Sequence, residues 1–342
     1  MRLRRRLLVW LQRSLGLFGV ARLYTWLRAP DGFLILMYHS VPDSARAPFI
    51  DPSNAVPADV FEQQLSLLSK TCSVISLADA IACQKARRAM PDRSVVITFD
   101  DGYLDNYEVA APLLAKYGLP ATVFVCTGYV HRQEPQWIDE LYNAFRFRQV
   151  DSLTLSEYSV DFALDSVREE RAAYQFLSSN LLTKGYAARR ALLDEVNVQL
   201  APREAVPRLT LRWEDLRAMR REFPNLELGL HTHDHLDLSG IAVSAAIAEI
   251  RKSQAMFESE MGFPARYFSY PYGRATRALV DSLSGLGIDA AVVTQPTERV
   301  TAATNVYAMP RYEVTKSLID LGMWSGGALP DLSRRVFGRV AD

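Results

Sequence analysis

Two carboxylates stand side by side in Thr98-Phe99-Asp100-Asp101-Gly102, directly after the apolar β-branched run Val95-Val96-Ile97. Such a run reads as a buried strand. The end of a strand is where an α/β protein places reactive groups. Neighbouring aspartates repel each other unless positive charge sits beside them. A metal ion meets that need: one Asp can ligate it while the other stays close as a general base. An Asx-type turn capping the next helix would use the same Asp-Gly pair, so the pentapeptide alone leaves both readings open.

The histidines favour the metal. Three of the five in the chain lie in Leu230-His231-Thr232-His233-Asp234-His235, after the alternating run Leu226-Glu227-Leu228-Gly229-Leu230. His231 and His235 stand four apart, a spacing that can set two imidazoles on one side of a tight loop. Imidazole suits zinc, nickel, cobalt or iron. Two His and one Asp form a facial set with open positions, as a catalytic metal requires. His233 is expected to point away, because alternate residues diverge in an extended loop.

These two segments, followed by Ser269-Tyr270-Pro271-Tyr272-Gly273, resemble in order the first three motifs of the polysaccharide deacetylases, the NodB-homology group of carbohydrate esterase family four. Leu36-Met37-Tyr38-His39-Ser40-Val41, Pro120–Val125, Trp137-Ile138-Asp139-Glu140-Leu141 and Met309-Pro310-Arg311 add to the likeness, which extends over about residues 33–315. The resemblance implies an α/β fold: a distorted (β/α) barrel with fewer than eight strands. It implies a divalent metal, zinc first with cobalt or nickel as alternatives, on Asp101, His231 and His235, with Asp100 as base. The implied reaction is hydrolysis of an N-acetyl group on an amino sugar such as N-acetylglucosamine. The metal would activate water and polarise the amide oxygen, Asp100 would take a proton, and the backbone N–H of Tyr272 would hold the oxyanion. Trp137, Asp139, Tyr270 and Pro271 are placed by the same likeness against the sugar.

Two departures from the family pattern matter. Where many members carry an Arg that pairs with the base, this chain has Ser269; Arg311 is expected to reach in from a later strand end, with Arg266 as a less suitable, surface-lying substitute. Members also carry a late His as general acid, and here no His follows His235. The acid is then Asp100 itself, His39, His233 or a water on the metal. His39 follows the apolar run Phe33–Tyr38 and is expected at a strand end, either in the site or as a core-edge residue bonded to backbone. The substrate stays open between an N-acetylated glycan and a lipid-linked sugar. O-acetyl ester hydrolysis, deformylation of a lipid-linked amino sugar, and a sugar-binding barrel without catalysis are the rival functions.

The positioning elements follow from periodicity. Residues 58–70, 77–88 and 245–261 read as helices, the last ended by Gly262. Asp105–Lys116 reads as a helix capped by Asp105 and kinked at Pro112. Residues of about 140–212 read as a mostly helical insertion, with Val167–Leu182 and Ala187–Leu200 as its helices and a lid or cleft wall as its role. The 342 residues suit one barrel with insertions. With 49% hydrophobic and 23% charged residues and a net charge of +0, the composition is that of a globular protein and gives no sign of a nucleic-acid partner. Cys72, Cys83 and Cys126 lack metal spacing and argue for a reducing compartment rather than a disulfide framework.

The barrel is expected over 31–325, with a tail over 326–342 and a distinct segment over 1–30. That segment opens Met1-Arg2-Leu3-Arg4-Arg5-Arg6 and continues with Leu, Trp and Phe interrupted by Arg13, Arg22 and Arg28. Its apolar pieces are far shorter than the roughly 20 residues of a membrane span. The mixture suits an interfacial amphipathic helix, and hence a cytoplasmic enzyme in peripheral contact with the anionic inner face of a membrane. Export through an atypical signal peptide is the alternative. The intact chain should sediment with anionic vesicles at low salt and be released at high salt, and removal of residues 1–25 should abolish binding; a processed N-terminus in a secreted product would reverse the assignment.

Overall fold

In this computed structural model the described residues are 32–294 and 299–325; the segment 1–30, with its expected amphipathic helix, and the tail 326–342 lie outside them. The described strands are β1 (Leu34–Tyr38), β2 (Ser73–Val74), β3 (Ser94–Phe99), β4 (Ala121–Val125), β5 (Ser152–Leu155), β6 (Val160–Ala163), β7 (Leu226–Leu230), β8 (Tyr267–Ser269), β9 (Ala290–Thr294) and β10 (Met309–Glu313). Seven pair in parallel in the order β1-β10-β9-β8-β7-β4-β3, and β3 pairs back with β1 to close a barrel. The two-residue β2 adds to β3 outside the ring. This is the expected (β/α) barrel with fewer than eight strands in its ring.

The helices are α1 (Ala58–Thr71), α2 (Leu77–Lys85), α3 (Ala111–Tyr117), α4 (Thr127–Arg132), α5 (Trp137–Arg146), α6 (Val167–Thr183), α7 (Tyr186–Leu200), α8 (Trp213–Glu222), α9 (Val243–Met261), α10 (Arg277–Ser282) and α11 (Leu318–Ser325). None among the described residues is long and apolar enough to cross a membrane. Side chains alternate along a strand with a period of two. Leu34, Leu36 and Tyr38 therefore turn outward to join Phe61 and Leu65 of α1 in the main core. Ile35, Val96, Phe124, Val292 and Met309 turn the other way and join Leu77 and Ile81 of α2 in an inner cluster. Continuing each inward row by twos reaches His39, Asp100, Cys126, His231, Ser269, Thr294 and Arg311. Because the strands are parallel, all of these arrive at one mouth.

Asp105 does not cap its helix. Its carboxylate accepts hydrogen bonds from the Ser40 hydroxyl and, at 3.0 Å, from the Val41 amide, which ties the end of β1 to the loop after β3. The expected kink at Pro112 takes the form of a π-helical turn over Asn106–Ala110. The wider turn precedes Pro112, which then sits in the first turn of α3, where a missing N–H costs little.

The insertion is less helical than its composition suggested. Before α6 and α7 it contains an antiparallel hairpin, β5 with β6, whose Leu153 and Leu155 are buried between exposed neighbours. A four-residue alternation is too short to stand out beside two long helices. Leu153, Leu155, Leu177, Leu181, Leu193 and Val196 share a second core with Leu141 and Phe145 of α5. The insertion thus buries its own apolar surface and rests on α5.

Inside the barrel the packing leaves no spare volume at Gly229. A Cβ there would sit 2.5 Å from a Phe124 ring carbon and 3.0 Å from the Tyr267 carbonyl oxygen. Gly229→Ala should cost about 1–3 kcal/mol by overpacking, read as a lowered urea midpoint; an unchanged midpoint would mean that the interior is looser than described.

Candidate active site

The strand ends converge on a cleft of about 410 Å³ at the barrel mouth, lined by His39, Asp100, Asp101, His231, His235 and Tyr272 among others. Its walls also include Trp137 of α5 and Ser178, Ser179 and Leu182 of α6, so the insertion contributes a wall. A second cavity of about 330 Å³ adjoins it through Met37, His39 and Glu313.

Asp100 is buried and held by Arg311, whose Nη1 and Nη2 donate at 2.7 and 2.6 Å to its two carboxylate oxygens. The Arg311 side chain is itself fully buried. Ser269 occupies the expected place of an arginine and joins the same pair, donating to Asp100 at 3.2 Å and accepting from Arg311 at 2.8 Å. Burial alone would raise the Asp100 pKa, but the Arg311 charge and hydrogen bonds outweigh it and hold the carboxyl well below the ordinary range. Arg266 lies on the surface, 3.7 Å from Asp289, and takes no part.

Asp101 faces the imidazoles. Its Oδ1 lies 3.5 Å from His231 Nε2 and 3.3 Å from His235 Nε2. The tautomer of His231 follows from its partner. His231 Nδ1 must carry its proton to donate to the Ser269 carbonyl at 2.8 Å, which leaves Nε2 with a lone pair toward Asp101. Burial pushes the His231 pKa down to about 4, so the ring is neutral at pH 7. His235 Nδ1 lies 3.1 Å from the Tyr272 hydroxyl, and its Nε2 faces Asp101. Asp101 Oδ1 is buried with no hydrogen-bond partner. A buried carboxylate oxygen left bare between two imidazole nitrogens is a costly arrangement without a cation, and the oxygen-plus-two-nitrogen donor set fits a divalent metal.

Cys126 also enters this knot: Asp101, Cys126 and His235 each offer a ligand atom within 4.8 Å of one another. The thiol, however, donates to the His231 carbonyl at 3.2 Å, and burial with the two nearby aspartates pushes its pKa well up. It acts here as a neutral donor, so His231 is the better third ligand. Cysteine spacing gave no sign of this position; the available signal was its place two residues beyond Phe124 on the inward row.

The His loop is shaped by its neighbours. The Glu249 carboxylate of α9 accepts from the amides of His233, at 3.0 Å, and Asp234. The amides of Thr127 and Gly128 at the start of α4 donate to the Thr232 and His233 carbonyls at 3.1 and 2.9 Å. His233 turns away from the cleft, and its Nδ1 lies 3.0 Å from the Thr127 hydroxyl. Asp101, Thr232, His235 and Tyr272 all have φ between 51° and 74°. Left-handed conformations in non-glycine residues cost about 1–3 kcal/mol each and persist where surrounding structure over-determines them.

Three residues expected against the sugar are not brought to the cleft. Asp139 is fully buried, accepting from the Tyr103 hydroxyl and the Asp51 amide, each at 2.7 Å; burial raises its pKa to about 8. Tyr270 falls on the outward row of β8 and packs on Phe268 in the main core. Pro271 is buried behind Tyr272. Trp137 does line the cleft, its indole N–H donating to the Tyr272 hydroxyl at 3.2 Å. His39 lines both cavities, and Asn106 holds its carbonyl at 2.8 Å.

The Arg311–Asp100 pair has a pH signature. In the native protein the depressed Asp100 pKa contributes stability above the unfolded aspartate pKa, lost only as pH falls through the depressed folded value. Arg311→Met leaves a buried carboxylate unpaired and should destabilise the metal-free protein by about 3–5 kcal/mol at neutral pH. Burial, the largest influence on Asp100, is then opposed only by His231, His39 and the Ser269 hydroxyl; the folded pKa should rise above the unfolded one, so the loss should be smaller at pH 5 than at pH 8 in urea melts. Equal losses at both pH values would show that Arg311 does not hold the Asp100 charge.

Comparison with known proteins bears on this geometry. The family model described as polysaccharide deacetylase matches residues 87–291. The Bacillus subtilis (strain 168) protein YxkH is 21% identical over 296 residues, spanning 86% of this chain and 76% of that protein. A poly-β-1,6-N-acetyl-D-glucosamine N-deacetylase of Staphylococcus aureus (strain MSSA476) is 37% identical over 76 residues, 22% of this chain and only 26% of that enzyme. Among solved structures, IcaB from Ammonifex degensii superposes with a TM-score of 0.57 at 18% identity, covering 87% of this chain and 97% of that one. The closed parallel barrel and the match over residues 87–291 together place the chain in the polysaccharide deacetylase family, whose members hydrolyse carbon–nitrogen amide bonds of polysaccharides.

Proposed function

We propose that this chain is a metal-dependent N-deacetylase of N-acetylated amino sugars in a glycan or its precursor. One observation carries the reading: the bare Oδ1 of Asp101 between the Nε2 atoms of two imidazoles, beside an Asp100 kept ionised by Arg311, in one cleft. Asp101, His231 and His235 would hold the ion, zinc by preference with cobalt or nickel as alternatives. Such an ion supplies Lewis acidity, lowering the pKa of a water and polarising the amide carbonyl.

The chain's own groups divide the remaining work. Asp100 accepts the proton of the attacking water, and Arg311 and Ser269 fix both of its oxygens in place. The Tyr272 amide donates to the oxyanion, while its side chain orients His235. His39, on the inward row of β1 and lining the cleft, supplies a proton to the leaving amine in place of the absent late histidine. Acetate and the free amino sugar leave. Trp137 offers an aromatic face to the ring. Poly-β-1,6-N-acetylglucosamine is the first substrate to try, since the Staphylococcus aureus relative carries that name.

The Zn²⁺-loaded chain should release acetate from short N-acetylglucosamine oligomers. Asp100→Asn should keep the zinc yet lower kcat by roughly 100-fold or more, and the His231→Ala/His235→Ala pair should lose both metal and activity. Zinc-loaded protein that leaves N-acetyl groups intact, or Asp100→Asn at wild-type turnover, would overturn the assignment.

A further inference from the structure

Arg189 of α7 is among the largest fully buried side chains of the molecule, 1% exposed, yet among the described residues no carboxylate pairs with it. A guanidinium stays charged at any ordinary pH and offers five donors and no acceptor. Burying one without an acid demands other negative ends. Arg189 finds them in main-chain carbonyls. Nε donates to Leu181 at 3.1 Å and Nη2 to Lys184 at 3.2 Å, at the C-terminal end of α6, where the helix dipole is negative. From the other side, Nη1 donates to the Asp234 carbonyl at 3.0 Å and Nη2 to the His235 carbonyl at 3.3 Å. Nη1 also reaches the Tyr129 hydroxyl at 3.2 Å. One face of the group lies over the Trp137 ring, 5.4 Å from its centre.

Trp137 in turn donates to the Tyr272 hydroxyl, which meets His235 Nδ1. The same guanidinium therefore clamps the backbone of His235 and packs on the indole that steadies the partner of its ring. The last residue of the His loop, left-handed at φ 51°, is held from the insertion rather than from the barrel alone.

We propose that Arg189 is a positioning residue for the metal site: it makes the insertion a structural part of that site by fixing His235. The inference rests on the metal reading above. It implies that the insertion helices set metal affinity as well as the shape of the cleft wall. Groups that orient a ligand from behind typically change metal affinity by roughly 10- to 100-fold when removed.

The test is competition for Zn²⁺ against a chromogenic chelator, with the visible spectrum of the Co²⁺-loaded full-length chain as a second readout. Arg189→Met should weaken Zn²⁺ binding by roughly 10- to 100-fold and alter the Co²⁺ spectrum, with kcat falling more than KM rises. Arg189→Lys, which keeps the charge but loses the fork, should fall between the two, and it decides the matter if Arg189→Met does not fold. Leu177→Ala loosens the same insertion core without touching the clamp and should retain wild-type affinity when folded. Wild-type affinity and spectrum in Arg189→Lys, or an equal loss in Leu177→Ala, would overturn the assignment. A wild-type chain that binds no Zn²⁺ would remove the metal reading and this one together, whereas one that binds Zn²⁺ without deacetylating any oligomer would leave Arg189 standing and sink only the proposed reaction.

Discussion

Two adjacent carboxylates inside a barrel mouth cannot both be ionised unless each has its own source of positive charge. At short separation in a medium of low dielectric, their repulsion would protonate one of them. This chain separates the two by opposite solutions. Asp100 receives a fixed, permanent cation in Arg311, bonded to both oxygens. Asp101 turns a bare oxygen to two imidazole nitrogens, an arrangement suited to a cation that comes from solution. The left-handed backbone at Asp101, φ 74°, turns consecutive side chains to these different partners. Much of the mouth answers to that division of charge, including Ser269 on one side and Tyr272 on the other.

The division also explains the second core. A ligand loop of left-handed residues is a strained object, and the barrel meets its backbone through Glu249 and the start of α4 and its imidazoles through Ser269 and Tyr272. The insertion meets it as well, bringing a buried guanidinium to the carbonyls of Asp234 and His235. Because the insertion has its own apolar cluster, it can present that group rigidly. The same helices form a wall of the cleft with Ser178, Ser179 and Leu182, so support of the ligand loop and shaping of the substrate space fall to one element.

The motif residues and the strands beneath them were readable from residue type and period. Val95–Ile97 and Leu226–Leu230 announced their strands, and the helices of residues 58–70, 167–182, 187–200 and 245–261 formed within a few residues of their expected bounds. Gly262 ends α9 in the left-handed conformation that its position promised. Errors arose where one residue type serves two purposes. Asp105 resembles a cap but serves as an acceptor for β1. Asp139 resembles a sugar-binding acid but is a buried hydrogen-bond hub. Tyr270 shares a motif with Tyr272 but continues the outward row of β8, whereas the chain leaves the strand after Ser269 and the left-handed turn at Tyr272, φ 58°, redirects the second ring to the cleft, a change of direction that a motif string conceals.

Local order in the chain sufficed for the choice of chemistry: adjacent aspartates, a pair of histidines four apart and apolar runs before each are properties of neighbouring residues. Partnership across the barrel is a different matter. Arg311 reaches Asp100 from 211 positions away, and Arg189 reaches His235 from another core. No local pattern records such pairs, because what selects them is the closure of the ring and the docking of the insertion. A buried arginine on an amphipathic helix reads in isolation as a surface charge, and only the tertiary fold, by removing water from around it, obliges it to find the carbonyls it holds.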